Sequence, residues 1–141
     1  MYQLQVRAAN MWDGFLMWGN FSHEVAVQTN MTAPSGFPSS IRATPLDPFS
    51  FRIEWQPVPI SQQHGPITGY KLTYWLQSTG IQLGSISCNS SQQTAVIKGL
   101  TPWTLFLVTL EAENSKGFGP KSDFFSVKTL PMGKIFSCLV K

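Results

Sequence analysis

Two histidines, two cysteines and seven carboxylates are the side chains in this sequence with the types needed for acid–base, nucleophilic or metal chemistry. His23 and His64 lie in unrelated segments, 41 residues apart (64 − 23), and neither stands at a metal-ligand spacing from Cys88 or Cys138. Both histidines are therefore expected to be solvated loop residues, and no metal site is predicted.

The carboxylates also lack a catalytic arrangement. Glu111 and Glu113 alternate along one predicted strand, so they share a face that is expected to be solvated rather than to hold an acid and a base. The glycines at 65, 69, 99, 117 and 119 stand in turns, without the strand-to-helix context of a phosphate loop. We therefore predict no catalytic residue, no cofactor site and no enzymatic activity.

Charge and hydropathy exclude two kinds of partner. The ten lysines and arginines give a formal net charge of +3, but they are spread singly from Arg7 to Lys141 without the basic cluster of a nucleic-acid interface. The longest strongly apolar stretch, residues 105–108 with their neighbours, is far shorter than the ~20 residues of a membrane-spanning helix. The first residues are too polar for the core of a signal peptide. We predict neither nucleic-acid binding nor a membrane span in this chain.

Alternation of apolar and polar residues predicts short β-strands. The segment FSFRIEW places Phe49, Phe51, Ile53 and Trp55 on one face. YKLTY and FLVTLEAEN show the same period of two, and TAVIKGL, FFSVKT and residues 83–87 are predicted as further strands. Roughly seven strands in about 100 residues, with no helical stripe, predict an all-β sandwich of two antiparallel sheets.

The chain contains an internal repeat. Val6 matches Leu110 at an offset of 104 (110 − 6), whereas Ser22 matches Ser122 at an offset of 100 (122 − 22). A four-residue change (104 − 100) within one polar, Gly-containing segment is the expected result of different loop lengths in two related hairpins. The chain is therefore predicted to hold the end of one repeat and all of the next.

Five motifs, in order, resemble a fibronectin type III domain over about residues 33–130. They are Pro34, Trp55 followed by Pro57 and Pro59, and the segments GPITGYKLTY, GLTPWTLF and AENSKGFGPKS. The resemblance implies an immunoglobulin-like sandwich. Residues 1–29 resemble the last two strands of a preceding domain of the same kind, as if the chain had been cut inside a repeat. We expect a partial repeat over 1–29, a linker over 30–33, a complete domain over 34–130 and a C-terminal tail over 131–141.

The same resemblance assigns the core. It places Trp55 between the sheets, beside Leu100 and Phe106. The family usually has a tyrosine at the position of Phe106, whose hydroxyl bonds to the chain just upstream; Phe106 lacks that hydroxyl, which puts the rigidity of the corner in doubt. The expected structural core comprises Trp55, Tyr70, Leu72, Leu100, Phe106, Val108 and Leu110.

Binding is expected in the loops of the sandwich. Residues 57–66 and 114–122 contain ordinary turn residues and no Arg-Gly-Asp tripeptide. The corresponding loop of the first repeat, MWDGFLMWGNF, is unusually apolar; it either packs on the missing body of its own domain or contacts a partner. The candidate partner-contact residues are Trp12, Phe15, Trp18 and Phe118.

Three asparagines begin the N-glycosylation pattern Asn-x-Ser/Thr, namely Asn20, Asn30 and Asn89. They favour an extracellular or cell-surface protein; unmodified asparagines in a cytoplasmic protein are the alternative. Cys88 and Cys138 are either free or paired, since the family does not need a disulfide.

The resemblance implies a non-catalytic module of an extracellular adhesion or receptor protein, which acts as a spacer and a protein-binding unit. Its expected partners are other protein domains, namely neighbouring repeats and an unidentified protein ligand. Two alternatives stay open: an intracellular structural module of the muscle-filament kind, and an accessory module of a larger receptor phosphatase or other enzyme.

Overall fold

The structure, a computed structural model, describes residues 2–27 and 29–133. The chain divides into two compact units, Met1–Met31 and Thr32–Lys141. Each unit contains its own antiparallel sheets. Residues 134–141 of the predicted tail, including Cys138, lie outside the described residues.

The first unit is a β-hairpin built from four short strands. β1 (Tyr2–Leu4) pairs with β4 (Val25–Val27), and β2 (Ala9–Trp12) pairs with β3 (Phe15–Trp18). Asp13 and Gly14 join β2 to β3 with φ angles of 49° and 82°. Positive φ at both central residues is the pattern of a type I′ turn, which matches the twist of a hairpin and favours the dipeptide Asp-Gly.

The second unit is a sandwich of two antiparallel sheets. One sheet has the order β5-β6-β9, with β5 (Ser39–Asp47), β6 (Ser50–Gln56) and β9 (Thr94–Ile97). In the other sheet β8 and β10 flank β7, and β10 also pairs with β11 and β12; its strands are β7 (Ile67–Leu76), β8 (Gln82–Asn89), β10 (Leu105–Asn114), β11 (Gly117–Phe118) and β12 (Phe125–Lys128). A single helical turn, α1 (Ile60–Gln63), connects β6 to β7. The predicted all-β, two-sheet fold class is confirmed.

The hairpin of the first unit repeats the hydrogen bonds of the β10–β12 hairpin. Ser22 Oγ accepts a hydrogen bond from the Val6 N–H at 3.0 Å, and Ser122 Oγ accepts one from the Leu110 N–H at 3.0 Å. In the return direction, the Ser22 N–H donates to Val6 O at 2.7 Å and the Ser122 N–H to Leu110 O at 2.9 Å. The two segments that matched in sequence therefore have one backbone register.

The four extra residues of the first hairpin extend its paired strands. Its pair Asn10↔Met17 corresponds to Asn114↔Gly117, where the β10–β11 pairing ends. Beyond this pair the first hairpin adds two more, Met11↔Leu16 and Trp12↔Phe15. The sequence offset had predicted a longer loop, whereas the structure shows a longer paired ribbon closed by a two-residue turn.

The core of the second unit lies between its two sheets. Trp55 packs against Tyr70 with ring centroids 5.5 Å apart, and Phe51 packs against Phe106 at 5.8 Å. All seven residues expected in the core are buried, with Trp55 2% exposed and Leu100, the most accessible of them, 8%. Among the described buried side chains, Trp55 Nε1 lacks a hydrogen-bond partner. The unpaired N–H donor offsets part of the stabilisation that comes from burying this ring.

Phe49 does not lie on the core face where the alternation of FSFRIEW placed it. It stands in the turn before β6, and its side chain is 48% exposed. Asp47 Oδ1 accepts a hydrogen bond from the Phe49 N–H at 2.7 Å, and Asp47 Oδ2 accepts one from Ser50 Oγ at 2.5 Å. This turn replaces the extended backbone that the alternation assumed, because a short polar side chain bonds to the backbone two residues ahead.

The corner before β10 is closed without a tyrosine hydroxyl. Phe106 is 1% exposed. Thr129, which is also 1% exposed, donates its hydroxyl to Thr101 O at 2.7 Å and accepts from the Thr104 N–H at 3.0 Å. The buried Thr129, which follows β12, therefore supplies the hydrogen bonds of this corner. The family usually forms such bonds with a tyrosine hydroxyl, which Phe106 lacks.

The Thr129 hydroxyl is expected to stabilise this unit measurably. Replacing Thr129 by Val keeps the side chain's shape but leaves the Thr104 N–H and the Thr101 carbonyl without this partner. The free energy of unfolding should fall by about 1–3 kcal/mol in denaturant titration, the usual net contribution of two hydrogen bonds. Thr44→Val, on an exposed position of β5, is the matched control and should change it by less than ~0.5 kcal/mol. Equal effects of the two substitutions would contradict this assignment.

Candidate partner-contact surface

The structure describes the candidate side chains for acid–base and metal chemistry that lie within residues 2–27 and 29–133. No group of three or more His, Cys, Asp or Glu side chains in this part of the chain is arranged to hold a metal ion. His64 is exposed and lies 2.7 Å from Ser35 Oγ through its Nε2 atom, and His23 is exposed as well. A cleft of about 370 Å³ beside β5 and β6 is lined by Arg42, Glu54 and Trp55 and by the polar residues Ser40, Gln56, Gln93 and Thr94.

Glu111 is less solvated than its place on the outer face of β10 predicted. The residue is only 8% exposed, and its Oε1 atom lies 3.9 Å from Lys71 Nζ on the neighbouring strand β7. Lys71 also places its ammonium 5.1 Å from the centroid of the Phe118 ring. The carboxylate is covered because β7, β10 and β11 bring these side chains together, which the sequence of β10 alone does not indicate.

Cys88 is buried on the core face of β8. Burial raises the pKa of its thiol above the usual value, since an apolar environment disfavours the thiolate. A buried thiol with a raised pKa is a poor nucleophile. Its suggested partner, Cys138, lies outside the described residues.

The three asparagines of the glycosylation pattern are all exposed. Asn89 ends strand β8, and its backbone N–H donates to Gln92 Oε1 at 2.8 Å. Asn20 lies between β3 and β4, and Asn30 lies between β4 and the second unit. Each site therefore meets the requirement that a glycan be attached at the surface.

Apolar side chains cover both faces of the β2–β3 ribbon. Trp12 is 79% exposed, Phe15 74% and Trp18 54%. Cross-strand partners share a face, so Trp12 and Phe15 lie on one face and the pair Met11 and Leu16 on the other. The ribbon therefore exposes apolar side chains on both of its faces.

Arg7 is a member of this surface that sequence reasoning missed. Its guanidinium carbon lies 4.2 Å from the centroid of the Trp18 ring and 4.9 Å from that of Phe21. No acidic side chain is within 4.0 Å of it among the described residues. The internal repeat could have indicated Arg7. It aligns Arg7 with Glu111, so the two repeats carry opposite charges at the same position on the outer face.

Phe118, the fourth candidate contact residue, is 44% exposed on β11. A second aromatic group lies on the same sheet of this unit: Trp75 and Phe124 pack edge to face at 5.3 Å, with Lys121 Nζ 5.9 Å from the Trp75 ring. The structure therefore places Trp12, Phe15 and Trp18 on one ribbon of the first unit and Phe118 on the second unit.

Comparison with known proteins agrees with this architecture. The fibronectin type III domain model matches residues 36–128. Receptor-type tyrosine-protein phosphatase F of Bos taurus is 37% identical over 110 residues, which cover 74% of this chain and 6% of that protein. Cell adhesion molecule Dscam1 of Drosophila melanogaster is 29% identical over 107 residues, which cover 72% of this chain and 5% of that protein. The chain thus spans a small fraction of the curated relatives it matches.

A solved structure shows the same fold. The fibronectin type III domain of human contactin 1 superposes with a TM-score of 0.65 and 22% sequence identity, covering 80% of this chain and 92% of that one. No helix among the described residues is long and apolar enough to cross a membrane. Because the family model matches residues 36–128, which is more than half of the chain and includes most of the sandwich described above, this chain belongs to the fibronectin type III domain family.

Proposed function

We propose that this chain is a non-catalytic part of an extracellular adhesion or receptor protein, in which it acts as a spacer and a protein-binding module. The observation that carries the proposal is the match to a receptor-type phosphatase and a cell adhesion molecule through their fibronectin type III regions. The exposed apolar ribbon of Trp12, Phe15 and Trp18 supports a binding role, and three exposed glycosylation patterns support an extracellular location.

We further propose that residues 1–29 are the closing hairpin of a preceding repeat, joined by residues 30–33 to the complete domain at 34–130. Leu4 is 58% exposed and Val6 73%, whereas their counterparts Val108 and Leu110 are both 0% exposed. In the second unit that face is covered by the opposite sheet. The corresponding face of the first hairpin has the same register and the same apolar positions, so it is suited to packing against an opposite sheet of its own repeat.

A specific observation also favours the accessory-module alternative. The relative with 37% identity is a receptor-type tyrosine-protein phosphatase, of which this chain spans 6%. In that case the module would carry no chemistry itself and would stand apart from the catalytic domain. The full-length reading frame decides, since a phosphatase domain in it would favour this second function.

Glycosylation tests the extracellular proposal. When the chain is expressed behind a signal peptide in a eukaryotic cell, we expect a glycan on Asn89 or Asn30, because both side chains are exposed and the pattern is read in the secretory pathway. Mass spectrometry before and after glycosidase treatment measures the occupancy. Asn89→Gln and Asn30→Gln, singly and together, serve as controls that should remove the corresponding mass. A folded, secreted product with no glycan at Asn20, Asn30 or Asn89 would favour the intracellular structural alternative.

Truncation tests the domain assignment. Deleting residues 1–29 should leave the second unit folded and change its free energy of unfolding by no more than about 1 kcal/mol, because a lone two-stranded hairpin buries too little apolar surface to add stability. Chemical unfolding of both chains, followed by Trp fluorescence, measures this. Loss of cooperative unfolding in the truncated chain would show that the first unit is an integral part of the sandwich.

A further inference from the structure

The first hairpin is two cross-strand pairs longer than the corresponding β10–β11 hairpin of the second unit. In the second unit, pairing of β10 with β7 ends at Asn114↔Ile67, and Asn114 corresponds to Asn10. If the preceding repeat has a strand equivalent to β7 and of the same length, that strand pairs with the first hairpin only as far as Asn10. Two apolar pairs lie beyond that point; the hairpin tip consists of Met11, Trp12, Phe15 and Leu16, with Asp13 and Gly14 as its turn.

The second unit carries an exposed apolar patch at the end where its sandwich turns. Three backbone hydrogen bonds join the segments of this end: Leu100 N–H to Phe49 O at 3.0 Å, Trp103 N–H to Leu130 O at 3.1 Å, and Leu130 N–H to Asp47 O at 3.4 Å. Four large apolar side chains at this end are 39–61% exposed, whereas Leu100 is buried. This turn-end patch consists of Leu46, Phe49, Trp103 and Leu130.

Charge on the two surfaces is complementary. Lys128 Nζ lies 3.5 Å from the centroid of the Trp103 ring, so a cation stands on the exposed ring of the turn-end patch. Asp47 is a second charge at this end; its carboxylate accepts hydrogen bonds from Ser50 Oγ and the Phe49 N–H, which lower its pKa. The hairpin tip carries one charge, the exposed carboxylate of Asp13. An Asp13 carboxylate seated beside Lys128 would add an ion pair to the apolar contact.

We propose that the hairpin tip of one copy of this chain docks on the turn-end patch of a second copy. This inference rests on the proposed protein-binding role and names its partner. The contact buries aromatic side chains from both sides, which is the composition of energetically dominant interface residues. It is heterologous, so each docked pair leaves one free tip and one free patch, and association continues into longer assemblies unless it closes into a ring.

A symmetric tip-to-tip contact is disfavoured by the same charges. It would bring two Asp13 carboxylates together at the centre of a small apolar interface, and like charges there oppose binding. The head-to-tail contact instead pairs Asp13 with Lys128. The tip-to-tip contact needs only the hairpin tip of each copy, whereas the head-to-tail contact needs the tip of one copy and the turn-end patch of the other. Variants that lack one surface therefore distinguish the two arrangements.

The experiment uses two variants of the full chain, each lacking one surface. Trp12→Thr with Phe15→Thr removes the hairpin tip and keeps residues suited to strands. Trp103→Asn removes the centre of the turn-end patch, and Asn tolerates the positive φ of 50° at this position. Sedimentation velocity over a concentration series measures the mass of each protein alone and of an equimolar mixture, after unfolding curves show that both variants are folded.

The unchanged chain is expected to grow in mass with concentration, and each variant alone to stay monomeric, with its dissociation constant raised at least about tenfold. The mixture is expected to form a 1:1 complex and nothing larger, because the Trp103 variant supplies the only intact tip and the Trp12/Phe15 variant the only intact patch. A Trp103 variant that associates by itself, or a mixture that does not associate, would overturn the proposal.

Two control variants separate this contact from other apolar contacts. Ile60→Ser changes a side chain that is 88% exposed on α1, and Val6→Thr changes the uncovered face of the hairpin. Both should associate like the unchanged chain; loss of association in the Val6 variant would assign it to the hairpin face instead. Asp13→Asn removes the charge and keeps a residue suited to the positive φ of 49° in this turn, so it should weaken association without disturbing the tip. A chain that is monomeric throughout overturns the self-contact alone, since the glycan and truncation results do not depend on it.

Discussion

Pairing between β7 and β10 is the interaction on which the rest of the second unit depends. Nine cross-strand pairs join these two strands, from Phe106↔Leu76 to Asn114↔Ile67. Their inner faces supply Tyr70, Leu72 and the alternate apolar residues of β10, which meet Trp55 and Phe51 from the opposite sheet. The pairing gives hydrogen-bond partners to the backbone groups that point across this seam, while the inner side chains of both strands are removed from water.

The first unit shows the same hairpin without that partner strand. Its Ser22 and Val6 form the same hydrogen bonds as Ser122 and Leu110, yet Val6 is 73% exposed where Leu110 is 0%. Local hydrogen bonding and turn chemistry therefore suffice to set the register of this hairpin. They do not bury it, because an apolar face is removed from water only by a second layer.

Charged and aromatic side chains lie next to one another on the surface of the second unit. Lys71 covers Glu111 and lies over Phe118, and Lys128 lies over Trp103. Each of these two cations lies over the ring of an exposed aromatic side chain, as in a cation–π contact. Aromatic side chains and Arg are enriched among the residues that dominate the binding energy of protein–protein interfaces.

The sequence by itself determined six of the eight strands of the second unit and the two-sheet class, and it indicated the match between the two hairpins, because alternation with a period of two and the matched positions of Val6 with Leu110 are local signals. It did not indicate β5 (Ser39–Asp47), and it treated the β2–β3 ribbon as a loop. The partner-contact candidates Trp12, Phe15 and Trp18 also followed from sequence, since so many apolar residues in one loop are unusual. Tertiary structure decided the exposure of Phe49, the cover of Glu111 by Lys71 and the closure of the corner by Thr129. Each of these depends on residues that are distant in sequence or on a turn that departs from the strand period. Only the folded chain brings them within contact distance, and a sequence pattern carries no information about which distant side chain arrives there.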